Sequence, residues 1–398
     1  MNLPNDALIN YVFPNELAHT TWGLTIIVYP YITGLVAGAF VVSALYHVAK
    51  VQAFKPMANF ALIAAFCFGM FAGVPLLFHL GQPQRALNIF ITPHTTSAMS
   101  MFGYIYSSYM ILLMLDIWMI YRVHFIRKFN ESNGLQRSIW YVLTLGVTEY
   151  HPDSAKLDHK VSTFLAALGV PWACTLHGYV GFVFGGVKAI PWWATALQPI
   201  IFLTSAIVSG IAMLLIMYTV IKWWSRAECD YVMVKKLATM LWVIFLFDWA
   251  LELLELGNFY YLNAHEWYFN YPLITGPLLI PYFYGQLGLL SFIPIIVLGY
   301  TVLAKQTGKK MLYAVNFAAF IVLLQVLVMR YNVVIGGQQM SKSTRGFVDF
   351  HWEVFSKEGV FTVVAIFCCP FIVYYLISRI LPIFDDPAGP VHMIDNKN

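Results

Sequence analysis

Long apolar stretches separated by short polar connections dominate this chain. Nine of them exceed the roughly 18 residues that a helix needs to cross a hydrocarbon core about 30 Å thick. They run Thr21–Val48, Met57–Leu80, Ala98–Val123, Val161–Val187, Trp192–Trp223, Leu237–Leu262, Leu278–Ala304, Met311–Val334 and Gly359–Leu381. Backbone polar groups in lipid must be satisfied within their own segment, so runs of this length predict helices. The pattern predicts an all-α polytopic membrane protein with about nine transmembrane helices. A tenth apolar patch, Ile139 to Val147, is too short to span and predicts a segment lying along the interface or packed on the helix ends.

Composition agrees with the pattern. Of 398 residues, 60% are hydrophobic and 11% charged, and the mean hydropathy is +0.70, values that point to lipid as the surrounding solvent. The net charge of +4 therefore bears on orientation and suggests no nucleic-acid partner. With the N-terminus outside, 17 of the 23 Lys and Arg fall in inner connections, so the positive-inside rule predicts N outside, C inside. The sequence then divides into an outer N-terminal segment (1–20), four helices (21–188), four more (189–334), an outer loop (335–358), and a ninth helix with an inner tail (359–398). No basic n-region or cleavage site is visible at the start, so the first helix is expected to direct insertion. The five cysteines form no CxxC or CxxCH pattern, which argues against a resident cluster, zinc site or covalently attached haem.

Polar groups inside the apolar stretches carry the candidate chemistry, because ionisable side chains are costly in lipid and mark function by default. The fourth stretch holds His177 and Tyr179 among Pro171, Cys174, Gly178 and Gly181. Counting rise per residue places His177 and Tyr29 on the order of 12–15 Å below the outer surface, with Tyr104 and Tyr106 near the same level and His79 nearer the rim. A quinone needs this combination: an apolar slot open to lipid for its tail, and hydrogen-bonding, proton-exchanging groups at its carbonyl oxygens. The alternatives are a structural hydrogen bond for His177 and an interfacial aromatic belt for the tyrosines. Asp248, Glu252 and Glu255 share one face of the sixth stretch at i, i+4 and i+7. Arg330 lies at a depth near Glu255 and is expected to pair with it, as part of a proton route or a structural ion pair. Asp116, in the inner third of the third stretch, either extends that route or sits close to inner water. A bound b-type haem would need two histidines at one depth, and only His79 and His177 approach that.

Several motifs together resemble a known family. They are Trp22-Gly23 followed by Gly34 and Gly38; His79-Leu80-Gly81-Gln82-Pro83-Gln84-Arg85; and Ser97-Ala98-Met99-Ser100, together with the His177 helix, the Leu-Glu-Leu around Glu252 and Glu255, and Arg330 before Asn332. The chain resembles the membrane subunits of the polysulfide reductase (NrfD-like) family from Trp22 to Leu381. The resemblance implies two four-helix bundles, here with a ninth helix appended, and no covalently bound cofactor. It implies menaquinone or ubiquinone as substrate in the cytoplasmic (inner) membrane. It also implies a ferredoxin-like iron–sulfur subunit on the outer face, bound to an outer-side catalytic subunit such as a molybdopterin enzyme, a hydrogenase or a multihaem cytochrome. By position, it carries His177, Tyr179 and Tyr29 to the quinone, and Glu255 with Arg330 to the polar cluster. This sequence departs from the family pattern at Tyr29, where relatives carry histidine or aspartate, and at His79, which replaces the usual Asp before Leu-Gly.

The first reading is therefore a quinone-reactive subunit of a respiratory oxidoreductase, with His177 and Tyr179 as reactive groups, and Tyr29, His79 and Tyr104 lining the quinone pocket. The competing reading is a secondary transporter that uses the intramembrane carboxylates, since midplane acids also occur there.

Overall fold

The computed structural model describes residues 12, 16, 17, 19–262 and 265–384. Most of the expected N-terminal segment, and the tail from 385 onward, lie outside the described residues. Among those residues, nine helices are long and apolar enough to span a membrane: α1 (Leu24–His47), α2 (Gln52–His79), α3 (Ala98–Glu131), α4 (Asp153–Gly185), α5 (Gln198–Trp224), α6 (Tyr231–Tyr261), α7 (Leu279–Leu303), α8 (Gly308–Gln339) and α9 (Val360–Ile380). No strand occurs among them. The chain is an all-α, multi-pass membrane protein, as the apolar pattern predicts.

α1 is the hub. It packs on α2, α4, α5, α8 and α9, whereas α9 packs mainly on α2 and α1. Burial follows from that placement: 94% of the most apolar window of α1 is inside the protein, against 17% for α9. The α1–α5 crossing is close because both helices bring glycine to it. A Cβ at Gly38 would run into the Gly210 backbone, and one at Gly210 would run into Gly38. Small residues are what allow two membrane helices to approach backbone to backbone.

Two helices extend past the apolar pattern. α3 continues from the expected end at Val123 to Glu131, and α4 begins at Asp153, before the expected Val161. Once outside hydrocarbon, a helix can continue through polar residues if something holds it, and here Arg122 of α3 donates to Asp158 of α4 at 2.7 Å. The apolar patch between them starts within a short amphipathic helix, Gly134–Leu143. Its Leu135, Ile139 and Val142 are exposed, the geometry of a segment resting on the membrane interface.

α7 departs from α-helical geometry. Its first half, Leu279–Leu289, is π-helical, with wider turns that change which side chains face inward. π-Helical turns frequently accompany functional sites, and this one borders the polar interior of α5–α8.

Candidate functional site

The centre of the protein holds a buried polar cluster where α1, α4, α5 and α8 meet. Arg330 of α8 and His177 of α4 are both fully buried. Arg330 Nη2 lies 3.0 Å from His177 Nε2 and donates to Ser205 Oγ at 2.7 Å, with the Phe202 carbonyl at 3.5 Å. The guanidinium carbon sits 3.8 Å above the Phe202 ring centroid, and the His177 imidazole stacks on the same ring at 5.8 Å. Phe202 thus supplies a face to both groups where lipid or a packed aliphatic would supply none. Gly34 makes the room: a Cβ there would lie 3.2 Å from His177 Cε1.

A guanidinium only donates, so His177 accepts at Nε2 and carries its proton on Nδ1. Among the described residues, His177 Nδ1 and Arg330 Nε and Nη1 have no hydrogen-bond partner.

The carboxylates of α6 stand beside this node. Asp248 accepts a hydrogen bond from Thr204 of α5, and Glu252 accepts one from Gln325 of α8 at 3.4 Å. Each keeps its other oxygen unpartnered among the described residues. Glu255 lines a cavity of about 30 Å³ with Glu252, Gln198, Tyr282, Gln286 and Asn332, enough for about one water molecule. Asn332 Nδ2 donates to Gln286 Oε1 at 2.8 Å and to the Pro281 carbonyl at 3.1 Å. Here the π-helical stretch has its local effect, since Pro281, Tyr282 and Gln286 all belong to it.

This arrangement revises three expectations. Arg330 does not pair with Glu255: its hydrogen bonds go to His177, Ser205 and Phe202. Matching depth along two helices leaves the direction around each axis open. Likewise, His177 and Tyr29 do not share a level. His177 packs against Gly34, five residues beyond Tyr29, and Tyr29 instead buries its ring edge-on against Phe102 of α3 at 5.2 Å. Tyr179 is two residues from His177, about 200° around an α-helix. It is only partly buried and lies beside Phe182, so the two side chains do not converge.

The remaining sequence candidates fall elsewhere. Tyr104 donates to the Ile89 carbonyl, and Tyr106 to the Gly69 carbonyl; both tie α3 to neighbouring backbone. Asp116 is buried and accepts from Ser162 of α4 at 2.9 Å. His79 ends α2 at the rim, partly exposed, with its Nδ1 3.0 Å from Glu358 Oε2. No group of three or more His, Cys, Asp or Glu is placed to hold a metal ion among the described residues. Ser205, Thr204, Gln325 and Gln286 have no distinguishing signal in the sequence, because small polar and amide residues are common in apolar helices. Glu358 is hidden in the connection before α9.

The profile of the polysulphide reductase NrfD family matches residues 13–342. The chain belongs to that family. It is 30% identical over 329 residues, 80% of this chain and 74% of the other, to a selenate reductase subunit of Mesobacillus selenatarsenatis. It is 24% identical over 321 residues, 80% and 71% of the two chains, to the Hdr-like menaquinol oxidoreductase integral membrane subunit of Archaeoglobus fulgidus. A putative dimethyl sulfoxide reductase membrane subunit of Halobacterium salinarum is 24% identical over 295 residues, covering 72% of this chain and 63% of that one. With nine apolar helices among the described residues, this NrfD-family chain is an integral membrane subunit of a redox complex, a role that implies catalytic partner subunits. The family match ends before α9, so Glu358 and the ninth helix lie beyond it.

Proposed function

We propose that this chain is the quinone-reactive subunit of a respiratory oxidoreductase, exchanging electrons between the membrane quinol pool and an iron–sulfur subunit docked on the outer face. Terminal catalysis belongs to a further outer-side subunit. The N-terminus faces outward and the C-terminus inward in the cytoplasmic membrane, following the distribution of Lys and Arg. One relative's name specifies menaquinol oxidoreduction, and two others are subunits of reductases of oxyanion or sulfoxide substrates.

One observation carries the reading: His177 and His79 occupy opposite environments. His177 is sealed in the core with its Nε2 taken up by Arg330, which suits a fixed electrostatic element between the two halves. His79 is partly exposed beside the outward-lying Leu77, Phe78 and Leu80, where a lipid-borne head group can reach an imidazole. On this reading the quinone meets the chain at the rim around His79, at the outer ends of α1 and α2. Asp248, Glu252 and Glu255, with the water-sized cavity beside them, provide proton-binding positions within the membrane. The transporter reading uses the same acids, but family membership favours the redox role.

The test is isolation of the intact complex from native membranes. A quinone-reactive subunit yields a co-purifying redox partner and electron transfer with added quinol or quinone. A chain that purifies without a redox partner, and accumulates a solute along an ion gradient, contradicts the proposal.

A further inference from the structure

α9 brings a carboxylate to the outer end of α1. Glu358, the second residue before α9, turns Oε2 toward three donors: the Gly23 backbone N–H at 3.2 Å, Thr25 Oγ1 at 3.4 Å and His79 Nδ1 at 3.0 Å. Its other oxygen lies 4.0 Å from Lys357 Nζ. Gly23 precedes the first turn of α1, where backbone N–H groups lack partners within the helix and the helix dipole suits a negative charge. The approach is close enough that a Cβ at Gly23 would collide with the Glu358 side chain at 2.7 Å. The pair is shielded but reachable, with the His79 and Glu358 side chains 28% and 18% exposed.

We propose that Glu358 is a positioning residue for quinol oxidation, contributed by the connection into the ninth helix, that fixes His79 as the proton acceptor at the outer quinone site. This rests on the quinone-reactive reading above. A carboxylate only accepts hydrogen bonds, so His79 carries its proton on Nδ1 and presents a free lone pair at Nε2. A carboxylate behind an imidazole holds ring and tautomer in place and stabilises the imidazolium that forms when the ring takes a proton.

Quinol loses two electrons and two protons to become quinone. The electrons pass to the iron–sulfur centre of the partner subunit. The hydroxyl that faces His79 loses its proton to Nε2, and the imidazolium releases it to outer water; the second hydroxyl, on the opposite side of the ring, loses its proton to water directly. Glu358 keeps its charge throughout and stays bonded to Nδ1.

The geometry also explains a pairing in the sequence. His79 lies within the family-matched span, and the acid that meets it comes from the connection before α9, outside that span.

The experiment uses the intact complex, with a short-chain menaquinol analogue reducing the partner's redox centres in a single turnover. Glu358→Gln keeps an oxygen to accept from Gly23 and Thr25, so assembly should be unchanged. The saturating rate should fall about 10- to 100-fold, with the half-saturating quinol concentration within about twofold. His79→Ala should lose at least as much, and the double variant should be no slower than His79→Ala, because Glu358 acts only through His79. Should Glu358→Gln fail to assemble, His79→Asn preserves a donor to Glu358 but cannot take the proton, and must lose the saturating rate in an assembled complex. A wild-type rate in Glu358→Gln or His79→Asn, or losses that multiply in the double variant, overturns the inference. A wild-type complex that does not react with quinol overturns the quinone-reactive reading itself.

Discussion

Arg330 and His177 meet as donor and acceptor 3.0 Å apart in the centre of the protein, with Phe202 under both. The contact joins α8 to α4. His177 is consequently one of few groups that satisfy a fully buried guanidinium.

Replacing it has a definite cost. His177→Phe preserves ring size but removes an acceptor from a buried charged donor, an interaction worth about 1.5–3 kcal/mol. The expected outcome is a lower thermal transition of the purified chain and a reduced membrane yield. Electron transfer per assembled complex should fall far less than the 10²–10⁴-fold typical of losing a general acid or base. An unaltered thermal transition would contradict the structural assignment. A large loss of turnover in a fully stable complex would return His177 to the quinone reaction.

The α1–α5 crossing gives a second expectation. Gly38→Ala places a methyl against the backbone of α5, and overpacking of this kind typically costs about 1–3 kcal/mol. Gly257→Ala, where a Cβ meets nothing within 4 Å, is the control and should leave the detergent-solubilised thermal transition near wild type. Equal behaviour of the two variants would show that the close crossing is absent.

Orientation can be measured separately. A reporter active only in the cytoplasm should work when fused after Lys397 and fail when fused before Met1. The opposite result inverts the assignment of His79 and Glu358 to the outer end, and the same result at both ends changes the number of spans.

Much of this architecture is legible in the sequence because hydrocarbon imposes a simple code in which apolar length reports a span. The candidate site is legible only in part. His177, Asp248, Glu252 and Arg330 stand out because each is costly in lipid, and all four are buried in the core. Their pairing is not readable, since Arg330 at the depth of Glu255 points toward His177 and Ser205. Tyr29 and His177, close in counted depth, do not converge: His177 packs against Gly34 and Phe202, and Tyr29 against Phe102. Glu358 is illegible for another reason: a glutamate next to a lysine in a polar connection looks solvated, and only the fold brings it to Gly23, Thr25 and His79.

Quinone reactivity is tested most directly by electron transfer between a quinol analogue and the redox centres of the complex isolated with this chain in place, compared with the partner subunits stripped of it. A quinone-reactive membrane subunit gives rapid, saturable reduction by quinol in the intact complex and loss of that reaction when the subunit is removed. Equal quinol reactivity in the stripped partners, or none in the intact complex, would contradict it.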